Sequence, residues 1–376
     1  MNSKINKIIA TEVVVHAREG YVDRPAFGPS IFDKPSKWML EVFTDDGLVG
    51  FGETARSTSG GDVEQCARQL LGKSLRSISW RNPINADLSS SDLFGHVNPP
   101  VPNRLYERSS SLSSGGQACE IAILDLLGKL FELPLYQFLG GAHREWIPTS
   151  WWMGRSDSEH AARQMEIGLE LGFTDIKFKA TAEDDVPGII QAIQKVAGRK
   201  ALIAIDPNQR FYRLSEAIRI AHQVEDANVM FEDPFPFDIE EWRLFRQKTS
   251  VPLALHGGKL HEALANHCCD HVNLGRPDWR FMSQAHMAAQ FGALCWAGSG
   301  VELGIIDTYI LHYSAATPTC VLPGDAIGHC IREDDLLEDE LVVKDGSIRL
   351  PEGNGLGVTL DQKALQKYGR SRMEFE

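Results

Sequence analysis

The sequence has no CxxC pair, no apolar run near the roughly 20 residues that a membrane-spanning helix needs, and no excess of positive charge. Each absence excludes something. Seven cysteines, an odd and scattered set in which only Cys268 and Cys269 adjoin, form no disulfide framework and suit a reducing compartment. A formal charge of −13 makes nucleic acid or an anionic membrane surface a poor partner. A few lysines, arginines or a metal can still reverse the field inside one pocket. The N-terminal stretch MNSKINKIIATEVVV carries neither an apolar signal core nor a small-residue cleavage site, so the expected compartment is the cytoplasm.

What is present is a chain of 376 residues, 43% of them hydrophobic, long enough for one large domain or two around a sizeable core. Residues 4–16 alternate apolar and polar side chains, as a half-buried strand does. Residues 19–36, with Tyr21, Phe27 and Phe32, lack periodicity and read as a long loop. WMLEVFTDDGLVGFGET predicts a hairpin turning at Asp45-Asp46-Gly47 and closing on Glu53. Helical spacing follows over residues 60–75 and 117–130.

From Trp146 the rhythm changes. IPTSWWMG, DIKFKA, ALIAID, VMFED, VPLAL, HVNLG and ALCWAG read as strands, and helical patterns fill the intervals. That makes about seven strand–helix units, close to the eight of a full barrel. The apolar runs between residues 175 and 258 end abruptly in polar residues: Lys177 and Lys179, Asp206 and Asn208, Glu232 and Asp233, then His256. Polar residues at the C-terminal ends of successive parallel strands are where such a barrel builds its active site. Two lysines, two carboxylates and a histidine there point to proton transfer beside a cation. The last segment contains a second hairpin, LVVKDGSIRL, and a glycine-rich ending expected to pack back on the N-terminal domain.

In this order the stretches TDDGLVGFGE, ACEIAILDLLGKLFELPLYQFLGG, GFTDIKFKA, IDPNQRF, FEDPFP and LPEGNGLGV resemble the enolase superfamily, in its mandelate racemase and muconate lactonizing branch. The resemblance covers nearly the whole chain. It implies an α/β fold: a modified TIM barrel, (β/α)7β, over residues 131–334. An α+β capping domain over residues 1–130 would be completed by a C-terminal segment of about 335–376. Loops around residues 21–30 and after Glu53 would close over the barrel mouth. The implied chemistry is abstraction of a proton α to a carboxylate, with a divalent cation, usually Mg²⁺, holding the enolate. The implied partners are a small carboxylate substrate and further copies of the chain.

An α-proton beside a carboxylate is so weakly acidic that the dianionic enolate must be stabilised, which a hard cation does as a Lewis acid. A lysine base must be largely neutral, so its pKa must fall through burial or a neighbouring cation. Lys177 and Lys179, two apart on one strand, share a face and are expected to depress each other. By the resemblance Lys179 is the base and Lys177 its neighbour, Asp206 and Glu232 are metal ligands, and Asn208 orients them. Asp and Asn just after a strand also cap helices, the plainer reading of both. Asp233 is expected to point away from the interior.

The third ligand departs from the family pattern, which has an acid where this chain has His256-Gly257-Gly258. Imidazole is a poor Mg²⁺ ligand but suits Zn²⁺, Mn²⁺ or Fe²⁺. A water-completed Mg²⁺ site, another divalent metal, no metal, and a purely acid–base or substrate-binding His256 all remain open. Gly275 and Gly298 stand where relatives carry the opposing acid or base, with Arg276 just beyond. Asp325, Glu302 and Tyr21 complete the candidates near the mouth. A one-sided base suits elimination, as in a hydroxy-acid or acid-sugar dehydratase. The alternatives are a cycloisomerase or epimerase and a non-catalytic carboxylate-binding relative.

Overall fold

Apolar–polar alternation builds β1 (Ile5–Val14), which pairs antiparallel with β2 (Ser36–Thr44), and β2 turns through Gly47 into β3 (Val49–Glu53). The computed structural model describes residues 3–21, 36–78 and 113–376, so residues 22–30 of the expected pocket loop, and the long loop on to residue 35, lie outside the described residues. One face of this sheet (Ile8, Ala10, Leu40, Val42) packs on helices Gly60–Leu70 and Ser114–Leu130. The other face, with Val13, Met39 and Phe51, joins the main core. Lys37 lies on that second face, two residues before Met39 on the same strand.

The first helix stops short of the expected residue 75, because the chain turns at Gly72 (φ +75°), whose N–H bonds the Ile5 carbonyl. The second begins three residues before residue 117, since Ser113 caps it through the Gly116 N–H. Asp125 within it accepts from the N–H groups of Phe51 (2.9 Å) and Leu356 (2.8 Å), tying the hairpin and the C-terminal tail to one helix.

IPTSWWMG is two strands rather than one. β4 (Trp146–Pro148) and β5 (Trp151–Met153) belong to different sheets, because Thr149 N–H bonds Gly346 while Ser150 N–H bonds Gly324. From β5 the parallel sheet runs through β6 (Ile176–Lys179), β7 (Ile203–Asp206), β8 (Val229–Glu232), β9 (Leu253–His256), β10 (His271–Asn273) and β11 (Leu294–Trp296). Residues 319–324 close the ring as an irregular eighth stave: Cys295 bonds Thr319 and Leu322 on one side, and Gly324 bonds Pro148 and Ser150 on the other.

Period-two alternation sorts the strand side chains. Ile176, Phe178, Ile203, Ile205, Phe231 and Leu253 face the helices and form the main core. Ala204, Met230, Ala254 and Trp296 form a separate interior plug beneath the strand ends. The helices begin on side-chain caps at Asp157, Asp185 and Asp238. After the barrel, β12 (Val343–Lys344) and β13 (Ser347–Arg349) form the expected hairpin, which pairs with β4, and β14 (Gly369–Phe375) returns to pair with β1. No helix among the described residues is long and apolar enough to cross a membrane.

Candidate active site

The residues with inward parity at the tips of β6, β7 and β8 are Lys177, Lys179, Asp206 and Glu232, all buried. Lys179 Nζ donates to Asp206 Oδ2 and, at 2.8 Å, to Asn208 Oδ1. Asn208 (φ +45°) and Asp233 (φ +44°) turn the chain just past β7 and β8 in the left-handed region, which Asn and Asp tolerate better than other side chains. That turn aims the Asn208 amide back at Lys179. Asp233 Oδ1 accepts from the His256 N–H at 2.9 Å, so it supports the next strand end.

Lys177 occupies the centre. Its Nζ lies 2.8 Å from Glu232 Oε2, 3.4 Å from Asp206 Oδ2 and 3.4 Å from Asp325 Oδ2, with the Trp296 ring 5.9 Å beneath. Burial alone would pull this ammonium down, but Asp325, Glu232 and Asp206 together push it well above its ordinary value. The expectation that each lysine depresses the other therefore fails for Lys177: three carboxylates outweigh one neighbouring ammonium. Asp206, despite its burial, is held below the usual carboxylate range by Lys179, Lys177 and His256. Asp233 moves the other way. Burial and the adjacent Glu232 push it up to about 8.

His256 projects from the tip of β9 with its side chain 43% exposed and Nδ1 3.5 Å from Glu232 Oε1. Asn273 Nδ2 donates to the same Oε1 at 2.8 Å. No sequence pattern singles out Asn273. It stands two residues before Gly275 on the inward parity of β10, and a Cβ at Gly298 would sit 2.4 Å from its Oδ1. The glycine at the seventh strand end thus clears room for the amide.

The donor set suits a divalent cation. Asp206 and Glu232 supply hard oxygens from adjacent strands, and Glu232 Oε2 is buried with no aligned hydrogen-bond donor, although Lys177 lies beside it. The third corner is imidazole rather than carboxylate, and among the described residues no group of three or more acidic, histidine or cysteine side chains is gathered closely enough to cage an ion.

Glu302 and Arg276 lie at the seam between the N-terminal sheet and the barrel. Lys37, buried in β2, is bound by both Glu53 and Glu302, and Glu302 also accepts from Gly300 N–H (3.0 Å) and Arg276 Nη1 (3.2 Å). Burial would raise the Glu302 carboxyl, but Lys37, Arg276 and Arg56 hold it at about 2. A lone lysine just before the apolar run WMLEVF gave no sign of this role. Tyr21 is not brought to the lysine–carboxylate cluster: its ring packs edge-on, 5.7 Å away, against Trp151, whose opposite neighbour Gly168 belongs to the helix layer. His312, which lacks ligand spacing in the sequence, is buried with a ring nitrogen 2.9 Å from the Leu356 carbonyl.

Comparison with known proteins adds ancestry to this geometry. A family model described as Enolase C-terminal domain-like matches residues 159–364. The chain is 24% identical over 353 residues to N-succinyl-L-Arg/Lys racemase of Bacillus cereus, covering 90% of this chain and 91% of that protein. It is 26% identical over 375 residues to D-xylonate dehydratase of Haloferax volcanii, covering 88% and 85% respectively. The crystal structure of muconate lactonizing enzyme from Pseudomonas fluorescens, complexed with muconolactone, superposes with a TM-score of 0.80 at 18% identity, covering 98% of this chain and all of that one.

Proposed function

We propose that this chain, an enzyme that belongs to the enolase superfamily in its mandelate racemase and muconate lactonizing branch, removes the α-proton of a small carboxylic acid with Lys179 and drives an elimination. The observation that carries this reading is the placement of Lys179 at the tip of β6. It is held by Asp206 and Asn208 and backed by an obligate cation, Lys177.

Members of the superfamily generally use Mg²⁺. Asp206 and Glu232, with His256 at the third corner, would hold a divalent cation, which would supply Lewis-acid stabilisation of the enolate oxygens. The chain's own residues do the rest. Lys177 keeps a positive charge beside Lys179, both ammonium groups reaching the same Asp206 Oδ2. Asn208 orients the Lys179 amine as a base. Asn273 holds Glu232 in place. For an acid with hydroxyls on both the α- and β-carbons, the α C–H and β C–OH bonds break, water departs, and the enol left by the retained α-hydroxyl tautomerises to the α-keto acid. Lys179, having taken the α-proton, delivers it to the leaving hydroxyl on the same face.

The glycines at 275 and 298 support elimination over epimerisation, which needs a second acid or base on the opposite face. Cycloisomerisation, also one-sided, is the second reading. We place the capping domain at residues 1–130 with 335–376 and the barrel at 131–334, and the enzyme in the cytoplasm as a homo-oligomer. The seven free, buried thiols suit that compartment.

The test is solvent-deuterium exchange at the α-carbon, followed by NMR over a panel of hydroxy acids with Mg²⁺ or Mn²⁺. Wild-type enzyme should exchange at least one acid and release its keto product. Lys179→Ala should abolish exchange, and persistence of exchange in that variant overturns the assignment.

A further inference from the structure

We propose that the cavity bounded by His256, Arg56 and Arg276 is a subsite for a second anionic group, so that the substrate is an acid carrying a further carboxylate or phosphate. The inference rests on the proposed function for where the reacting carboxylate lies. The cavity measures about 440 Å³, within the size range of small-molecule sites. Its lining includes the His256 imidazole, which lies against Glu232 and so adjoins the lysine–carboxylate cluster. The lining also includes two guanidinium groups from different parts of the fold. Arg56 follows β3, and its Nη1 donates to the Gly300 carbonyl at 2.9 Å. Arg276 follows β10, and its side chain is 30% exposed.

Three glycines shape the space between. Gly275 (φ +70°) faces His256 Nε2, and a Cβ there would come within 3.6 Å of it. At Gly298 a side chain would strike Asn273, and at Gly300 a Cβ would lie 2.8 Å from Arg56 Nη1. Where relatives are expected to carry a titratable side chain, this chain has room, and the room leads to arginine.

Charge settles what fits there. Glu302, the carboxylate in the lining, already answers Lys37, the Gly300 N–H and Arg276. Among the described lining residues, two guanidinium groups, Arg56 and Arg276, face one carboxylate, Glu302. Burial pulls Arg56 down, Glu302 opposes, and Arg276 adds to the depression, so the two guanidinium groups repel each other. An anion placed between them relieves that repulsion and gains charge-assisted hydrogen bonds.

Calorimetry on full-length Lys179→Ala, which removes turnover, tests the subsite. Monocarboxylates, dicarboxylates and phosphorylated acids of matched length are titrated against it. A second anionic group should tighten binding at least about tenfold, and Arg276→Met or Arg56→Met in the same background should erase that preference. Dicarboxylates and phosphorylated acids, compared directly, identify which anion the arginines take. Equal binding of mono- and diacids overturns the subsite, as does a preference that survives both arginine substitutions in variants with an unchanged circular dichroism spectrum. If either variant fails to fold, Arg276→Lys keeps the charge and loses the fork, and the preference should fall without vanishing. Should diacids bind with arginine-dependent preference while no acid exchanges its α-proton, the subsite stands and proton abstraction falls. Should monoacids exchange while diacids gain no preference, proton abstraction stands and the subsite falls.

Discussion

Glu53 Oε2 accepts a 2.8 Å hydrogen bond from the backbone N–H of Ile306, joining the C-terminal end of β3 to the first turn of the helix Gly304–Ala316. The other oxygen takes the Leu303 N–H at 2.8 Å and the Lys37 ammonium. Cap and barrel are therefore joined through a fully buried charge cluster. Lys37→Met leaves Glu53 and Glu302 facing each other without their shared cation. The expected loss is about 3–5 kcal/mol of stability, read by guanidinium denaturation. A loss under about 1 kcal/mol would show that the cluster does not hold the seam.

The hairpin glycines make a second prediction, with a built-in contrast. A Cβ at Gly52 would lie 2.2 Å from the Ala118 carbonyl oxygen, and one at Gly50 2.3 Å from that of Ala122. Gly52→Ala should cost at least about 2 kcal/mol, because β3 must move off the helix. Gly61, near the start of helix Gly60–Leu70, has nothing within 4 Å of its Cβ position. Gly61→Ala should instead be neutral or stabilise by about 0.5–1 kcal/mol. Thermal melts of the two variants separate the cases.

His312 links stability to pH. Burial pushes its imidazole from 6.5 down to about 4, only partly offset by the Leu356 carbonyl. The folded state prefers the neutral ring, so the contribution is complete above pH 6.5 and is lost progressively as pH falls toward 4. The full loss approaches about 3 kcal/mol. Denaturation midpoints at pH 7.5, 6 and 4.5 should fall more steeply for the wild type than for His312→Gln, which carries no titrating ring. Parallel pH profiles would refute the assignment.

At the proposed metal site the preference among cations turns on one side chain. Exchanging His256→Asp supplies a third hard oxygen beside Glu232. Mg²⁺ affinity, measured by calorimetry without substrate, should rise by about tenfold relative to Mn²⁺. No change in the ratio would mean that His256 does not reach the ion.

Much of the candidate site was legible because parallel strands announce their C-terminal tips: an apolar run stops, a polar pair follows, and alternation assigns the inward side chain. Lys177, Lys179, Asp206, Glu232 and His256 all followed that logic to neighbouring tips. Asn273 escaped because its strand is three residues long and the conspicuous feature was the glycine after it. Lys37 escaped because its partner Glu302 lies 265 residues away, and no local pattern encodes such a pairing. The charge of Lys177 was misjudged for a similar reason: Asp325 reaches it from the eighth stave, far along the chain. The split of residues 146–153 into two strands was hidden too, since Gly346 and Gly324 compete for adjacent amides from distant parts of the chain.

The irregular eighth stave does more than complete a ring of hydrogen bonds. Gly324 is its last anchoring residue, and the next residue is Asp325, which supplies the third carboxylate around Lys177. The stave thus works as a latch. With it fastened, the central ammonium is balanced. With it sprung, that ammonium loses one of its three counter-charges. The last stave of the wall in chain order is the piece that completes the charges around Lys177, so the closure of the barrel and the electrostatics of its mouth depend on the same few residues.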